Sequence, residues 1–347
     1  MLRIRSKIID GQQIALLIPE YAPPDVRDEI VGTLLHRRIN IESIFVGNAS
    51  PSEQLNDMIE GRRVPVDTFQ AGFVIDERLS GRTFWLDNLS LANWPAWKLF
   101  IEEIQALTRN LPRSDRVLFV VPLVGELAQH VPEDRGGLSI LKWDDVVSRY
   151  DMLQYVDAIL SRQIPRVERR IMVEIIASLA GFDIEVADIL SDASFENLLS
   201  SDTKLLEIAE ARAWERGHSP TWWQGSVMSL DGEFFIHSAL PDSSHKLRLR
   251  RWSALMSTVF VLLESHRQAL IAKYSMLLPS GDAAKSLEFA ELFDLLSTVA
   301  SVRTKKIPTG LLNHISRLRY IRNKLAHFEV PEPALLCEAL RMLSQDL

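Results

Sequence analysis

The sequence predicts an α/β N-terminal domain with a mostly parallel sheet, then a helical lid, then an all-α C-terminal domain of four helices. Three observations carry this. Over residues 1–150, short apolar runs alternate with stretches of helical periodicity, the pattern of strands joined by helical crossovers. From Asp144 to about Gly217 the strand-like runs stop and apolar residues recur only at helical spacing. After a break rich in Gly, Pro and Trp, residues 245–347 read as four amphipathic helices.

In chain order, Gln13–Ile18 reads as a buried strand, residues 25–38 as a helix and Ile41–Val46 as a second strand. Phe73–Ile75 and Thr83–Leu86 read as two more strands. Residues 94–109 form a helix with Trp97, Phe100, Ile101, Ile104 and Leu107 on one side. Residues 116–123 (Arg-Val-Leu-Phe-Val-Val-Pro-Leu) give the clearest buried strand, and Leu138–Trp143 gives another. The helical segment 151–217 contains Tyr150–Gln163, Ile164–Ala180 (stopped by Gly181), Phe182–Leu190 and Asn197–Arg216. Residues 218–244 are the connector. Asp231-Gly232 there is a turn signal between two β-like runs, and Trp222 and Trp223 are expected to pack it down. One long helix over residues 246–278 opens the last domain, followed by helices over 286–301, 308–328 and 333–347.

The helix over 308–328 carries an anomaly. At roughly 100° per residue, Leu311, Ile315, Leu318, Ile321, Leu325 and Phe328 share one arc. Arg322 projects into that arc, where a permanent charge is costly unless it is paired or opens onto a cleft. Asn323 and His327, i and i+4, lie together on the polar flank. The segment reads Arg322-Asn323-Lys324-Leu325-Ala326-His327.

This pattern resembles the HEPN family, four-helix domains whose signature is an Arg, commonly followed by Asn, Asp or His, and a His after four to six intervening residues. The resemblance covers about the last 100 residues and implies a homodimer in which Arg and His of two copies face each other and cut RNA without a metal. Carried onto this chain, Arg322 would bind the phosphate, His327 would act as acid/base and Asn323 would orient either one. Residues 1–150 resemble a P-loop NTPase core of the AAA/STAND type, with 151–217 in the place of its lid. The site after the first strand departs from that pattern. It reads Pro19-Glu20-Tyr21-Ala22-Pro23-Pro24-Asp25, and no G-x-x-x-x-G-K-[ST] occurs in the chain. Prolines lack the donor N–H and carboxylates repel phosphate, so nucleotide hydrolysis is not expected. Phe73-Val74-Ile75-Asp76-Glu77 and Phe84-Trp85-Leu86-Asp87 have the apolar-then-acid form of a Walker B strand. Without a phosphate loop they read as ordinary strand ends, whose acids are solvated or cap the next helix.

Composition narrows the rest. A net charge of −7 over 347 residues means that any RNA contact must use a local basic patch. Lys246, Arg248, Arg250 and Arg251 at the start of the first long helix, and Lys305 and Lys306 before the third, are the candidates. The single cysteine, Cys337, leaves no intrachain disulfide, and the histidines show no metal-ligand spacing. No cofactor or metal is expected. No apolar run reaches 18 residues and no secretory leader is read at the N-terminus. The expectation is a cytoplasmic chain without membrane association.

Two main readings stay open, beside a weaker third in which the first domain still binds a nucleotide without hydrolysing it. In one, the chain is a metal-independent endoribonuclease or toxin-like effector of bacterial anti-phage defence, the function that the two resemblances together imply. In the other, it is a non-catalytic scaffold or regulatory subunit of a multi-protein defence complex, dimerising through its C-terminal domain. Arg322 is then held by a carboxylate such as Glu264 or Glu288. Glu264 on the first long helix is also the candidate to support Arg322 from behind. His266 and His314 project into apolar arcs and are expected to be satisfied core histidines.

Overall fold

A computed structural model describes residues 2–23, 25–57, 79–200, 202–212, 222–224, 227–230, 233–236, 244–279, 286–302 and 310–345. The expected strand Phe73–Ile75 with Asp76 and Glu77, the turn at Asp231-Gly232, and Lys305 and Lys306 lie outside these residues. The chain divides into two compact units. One comprises residues 1–148 with 182–184 and 219–235; the other comprises 149–181, 185–218 and 236–347.

The first unit is built on β1 (Gln13–Ile18), β2 (Glu42–Phe45), β3 (Thr83–Asp87), β4 (Leu118–Val124) and β5 (Leu138–Lys142). They form one sheet in the order β2-β3-β4-β1-β5, and every neighbouring pair is parallel. The inner strand β1, between β4 and β5, is buried at all its positions. This explains its uninterrupted apolar run: a strand covered on both faces does not alternate. Its one polar residue, Gln13, is satisfied inside the sheet. Gln13 Nε2 donates to the Val117 carbonyl (2.7 Å) and its Oε1 accepts from Phe119 N (2.6 Å). That stitches β1 to β4 and sets their register.

The connecting helices are α1 (Leu2–Ile9), α2 (Val26–His36), α3 (Pro51–Asp57), α4 (Trp94–Thr108) and α5 (Trp143–Val146). Trp97, Phe100 and Ile104 of α4 are core residues with Phe84 and Phe119 of the sheet. The rings of Trp97 and Phe119 meet edge-on at 6.0 Å, a favoured aromatic geometry. Sequence periodicity passes over α1 and α3. Both are short, eight and seven residues, below the window in which a helical stripe becomes visible.

The second unit is helical: α6 (Arg149–Ile159), α7 (Arg166–Ala180), α8 (Ile184–Ser191, whose first residue belongs to the other unit), α9 (Phe195–Leu199), α10 (Asp202–Ala211), α11 (Ser244–Leu255), α12 (Val261–Lys273), α13 (Phe289–Val302), α14 (Leu311–Ala326) and α15 (Pro333–Gln345). The expected helix over 197–216 is instead two, broken where the Ser200 backbone N–H folds back to Asn197. The expected single helix over 246–278 is interrupted by a π-helical turn at Met256–Phe260 and ends in a 3-10 turn. The cause of the π turn is local. Ser257 Oγ and Thr258 Oγ1 both donate to the Ala254 carbonyl (2.9 and 2.7 Å), competing with the backbone donor that continues a regular helix. α7 packs along α11, and α14 packs between α13 and α15.

Candidate functional site

The helix α14 presents the anomaly as geometry. Ile315, Leu318, Ile321 and Leu325 are fully buried, while Asn323 and His327 are exposed. Arg322 lies between these extremes, its side chain 29% exposed. Its Nη2 meets Glu288 Oε2 at 3.0 Å, and Glu288 is itself 52% exposed. The neighbouring donor on the same guanidinium edge, Nε, is shielded and has no hydrogen-bond partner among the described residues. One edge of a fork suited to bidentate acceptors is therefore half used.

Glu264, expected behind Arg322, is engaged elsewhere. Arg267 takes it through Nε (2.9 Å) and Nη2 (2.8 Å), because the two residues are one helical turn apart on α12.

Helix α14 ends one residue before the motif histidine. His327 is the C-cap, Phe328 follows with φ +60°, and Glu329 N donates to the Lys324 carbonyl at 2.9 Å. With Phe328 N donating to the Leu325 carbonyl (3.3 Å), this is the Schellman arrangement, with a phenylalanine where glycine is usual. Phe328 was expected on the buried stripe. It is 62% exposed because the left-handed residue turns the chain out of the helical arc. Its ring lies on Trp252 of α11, centroids 4.5 Å apart, and Trp252 Nε1 donates to the Leu325 carbonyl (2.6 Å). Lys324 and Glu329 form an ion pair across the turn. The Lys324 ammonium holds the Glu329 carboxyl below its ordinary value. The turn that displays His327 is thus pinned by an indole on one side and an ion pair on the other.

The basic run splits. Lys246 and Arg248 are exposed, whereas Arg250 and Arg251 are buried. Arg251 Nη2 bonds Asp202 Oδ1 at 2.5 Å, and burial pulls the Arg250 guanidinium down to about 10. An alternating run on a helix cannot point one way, so only Lys246 and Arg248 face solvent. His314 is 4% exposed, with its Nε2 3.2 Å from His266 Nε2. The two rings, one on α14 and one on α12, serve each other. Burial pushes the Cys337 thiol up, away from the thiolate that reacts.

In the first unit, the crevice at the carboxyl ends of β1 and β4 is where an open parallel sheet holds a ligand. Here it is filled by protein. Glu20 N donates to the Trp223 carbonyl (2.8 Å). The Glu20 side chain lies where a Cβ on Gly125 would fall, 2.9 Å from its Cγ. Asp87, the acid at the end of β3, is bound by Arg27 Nε at 2.8 Å. Burial pushes its carboxyl above the ordinary value, against the pull of that arginine. Among the described residues, no three His, Cys, Asp or Glu side chains gather as metal ligands, and no helix is long and apolar enough to cross a membrane. No protein-family model matches the chain, and no curated protein matches it.

Proposed function

We propose that the chain is a HEPN-type, metal-independent endoribonuclease, a toxin-like effector of bacterial anti-phage defence. Its first unit acts as a P-loop-like domain that controls it without hydrolysing nucleotide. The observation that carries this is the Arg322 guanidinium. It is partly shielded, its Nε has no hydrogen-bond partner among the described residues, and its ion pair with Glu288 is to a half-exposed carboxylate. A pair at that exposure is worth about 1 kcal/mol or less. A bidentate phosphate contact, at about 1.5–3 kcal/mol for a hydrogen bond to a charged group, displaces it.

The chemistry needs a second copy of the chain. His327 takes the proton of an RNA 2′-hydroxyl, and the oxygen attacks the adjacent phosphorus. The bond to the 5′ oxygen breaks, leaving a cyclic 2′,3′-phosphate, and the departing oxygen takes a proton from the imidazolium of the second copy. Arg322 stabilises the charge that builds on the phosphoryl oxygens. Asn323, exposed beside it, orients the imidazole or the substrate. The first unit supports its assigned role by its wholly parallel sheet with β1 between β4 and β5. The protein filling the end of β1 argues against phosphate binding there.

The Arg322–Glu288 pair favours a second reading: a non-catalytic scaffold or regulatory subunit of a defence complex, with the motif bracing the helical domain. Incubation of purified protein with RNA in EDTA separates the two. On the ribonuclease reading, wild type cleaves and Arg322→Ala and His327→Ala do not. Equal inertness of all three, with every partner protein of the system added, establishes the scaffold.

A further inference from the structure

A groove of about 630 Å³ runs between α6 and α7, remote in sequence from the motif, and four of its lining residues are arginines: Arg162, Arg166, Arg169 and Arg170. Its two carboxylates, Asp157 and Glu174, are both already engaged. Asp157 Oδ1 meets Arg169 Nη2 at 3.1 Å, and Glu174 Oε2 meets Arg149 Nη2 at 2.8 Å. Arg162, Arg166 and Arg170 are exposed, and no acceptor among the described residues pairs with them. A chain with net charge −7 therefore concentrates three uncommitted guanidiniums in one concavity, at a volume usual for small-ligand sites.

The spacing says what fits. Arg166 and Arg170 are i and i+4 on α7, on one helix face and roughly 6 Å apart along the axis. Arg162 lies in the preceding loop and closes the same groove. The three cations line one groove, and Arg166 and Arg170 span about one helical turn, shorter than the track several nucleotides long that a single-stranded backbone requires. Arginine is the side chain that binds phosphate oxygens bidentately. We propose that this groove binds the polyphosphate chain of a small ligand, of the class of nucleoside triphosphates. The site is separate from the crevice at the end of β1 and does not rest on the ribonuclease reading.

Calorimetric titration of the full-length protein at 50 and 300 mM salt tests it, with ATP, inorganic tripolyphosphate, adenosine and a 20-nucleotide RNA as probes. ATP and tripolyphosphate should bind at low salt and weaken at high salt, while adenosine gives no heat. Arg166→Glu with Arg170→Glu should weaken ATP and tripolyphosphate tenfold or more and leave RNA affinity unchanged. His327→Ala should leave ATP affinity unchanged whatever it does to RNA cleavage, so that failure of one reading is not failure of the other. The substituted side chains are exposed, and circular dichroism verifies that the double variant is folded. Absence of tripolyphosphate binding at 50 mM salt, or affinity unaltered in the folded double variant, overturns the proposal. A loss of RNA affinity matching the loss for ATP also overturns it, because the groove is then a backbone track.

Discussion

The indole Nε1 of Trp252 donates to the carbonyl of Leu325 across 2.6 Å, and the same indole stacks on Phe328. The Leu325 carbonyl belongs to the last turn of α14, whose acceptors have no onward helical donor. Trp252 thereby ties the first helix of the C-terminal region to the turn that displays His327. Trp252→Phe keeps a ring against Phe328 and loses the donor, so it should lower stability by about 1 kcal/mol. Trp252→Ala loses both and should lower it further. Urea unfolding midpoints measure this. A Trp252→Phe midpoint equal to wild type would show that the bond contributes nothing.

Phe328 sits at φ +60°, a conformation that costs a residue with a Cβ about 1–2 kcal/mol and glycine almost nothing. Its ring recovers part of this on Trp252, an aromatic pair being worth about 0.5–1.5 kcal/mol. Phe328→Ala discards the stack and keeps the strain. Phe328→Gly discards both. The glycine variant should therefore be more stable than the alanine variant by about 1 kcal/mol. The reverse order in a chemical denaturation series would show that the left-handed conformation is not kept in solution.

How far the sequence revealed this site can be seen in α14. Its buried stripe, Ile315 to Leu325, and the intermediate position of Arg322 follow from the helical period. The helix end does not. Nothing local announces a C-cap at His327, because the residue in the left-handed position is a phenylalanine and the usual glycine signal is missing. What holds it there, Trp252, is 76 residues earlier in the chain. The choice of Glu288 over Glu264 as the partner of Arg322 was likewise a matter of tertiary geometry. Glu264 has a competitor, Arg267, one turn away. In the sheet, buried runs marked β1 and β4 well, while nothing in the sequence draws the groove arginines at 162–170 together. Periodicity reports burial and is silent on which exposed charges converge.

The Lys324–Glu329 pair gives the turn a pH signature. The folded-state pKa of Glu329 lies below its ordinary value of 4.5, chiefly through the hydrogen bond from Lys324. For a carboxyl lowered in this way, the linked stability is fully present above the unfolded value and is lost as pH falls through the folded one. The pair's contribution to the turn should thus be present in full above the ordinary glutamate value and be lost only as pH falls through the lowered one. A carboxyl-carbon NMR titration should find Glu329 titrating below the ordinary glutamate value of 4.5, and Lys324→Met should return it toward that value. An ordinary midpoint in wild type would remove the pair from the account.

Glu288 decides between the two readings of Arg322. If the guanidinium serves a phosphate, Glu288 is a competitor for it. Glu288→Gln should then raise RNA affinity or cleavage several-fold in EDTA, with stability changed by about 1 kcal/mol or less, as for other half-exposed pairs. Arg322→Ala in the same background should abolish the cleavage. If the pair is structural, Glu288→Gln and Arg322→Ala should each lower stability by a similar amount. The double variant should then be little worse than either single one, the signature of coupling within a pair. The two outcomes differ in sign for Glu288→Gln, one a gain in activity and the other only a loss of stability. The same four proteins, assayed for cleavage and for urea midpoint, therefore settle whether Arg322 is held in place by Glu288 or held in reserve by it.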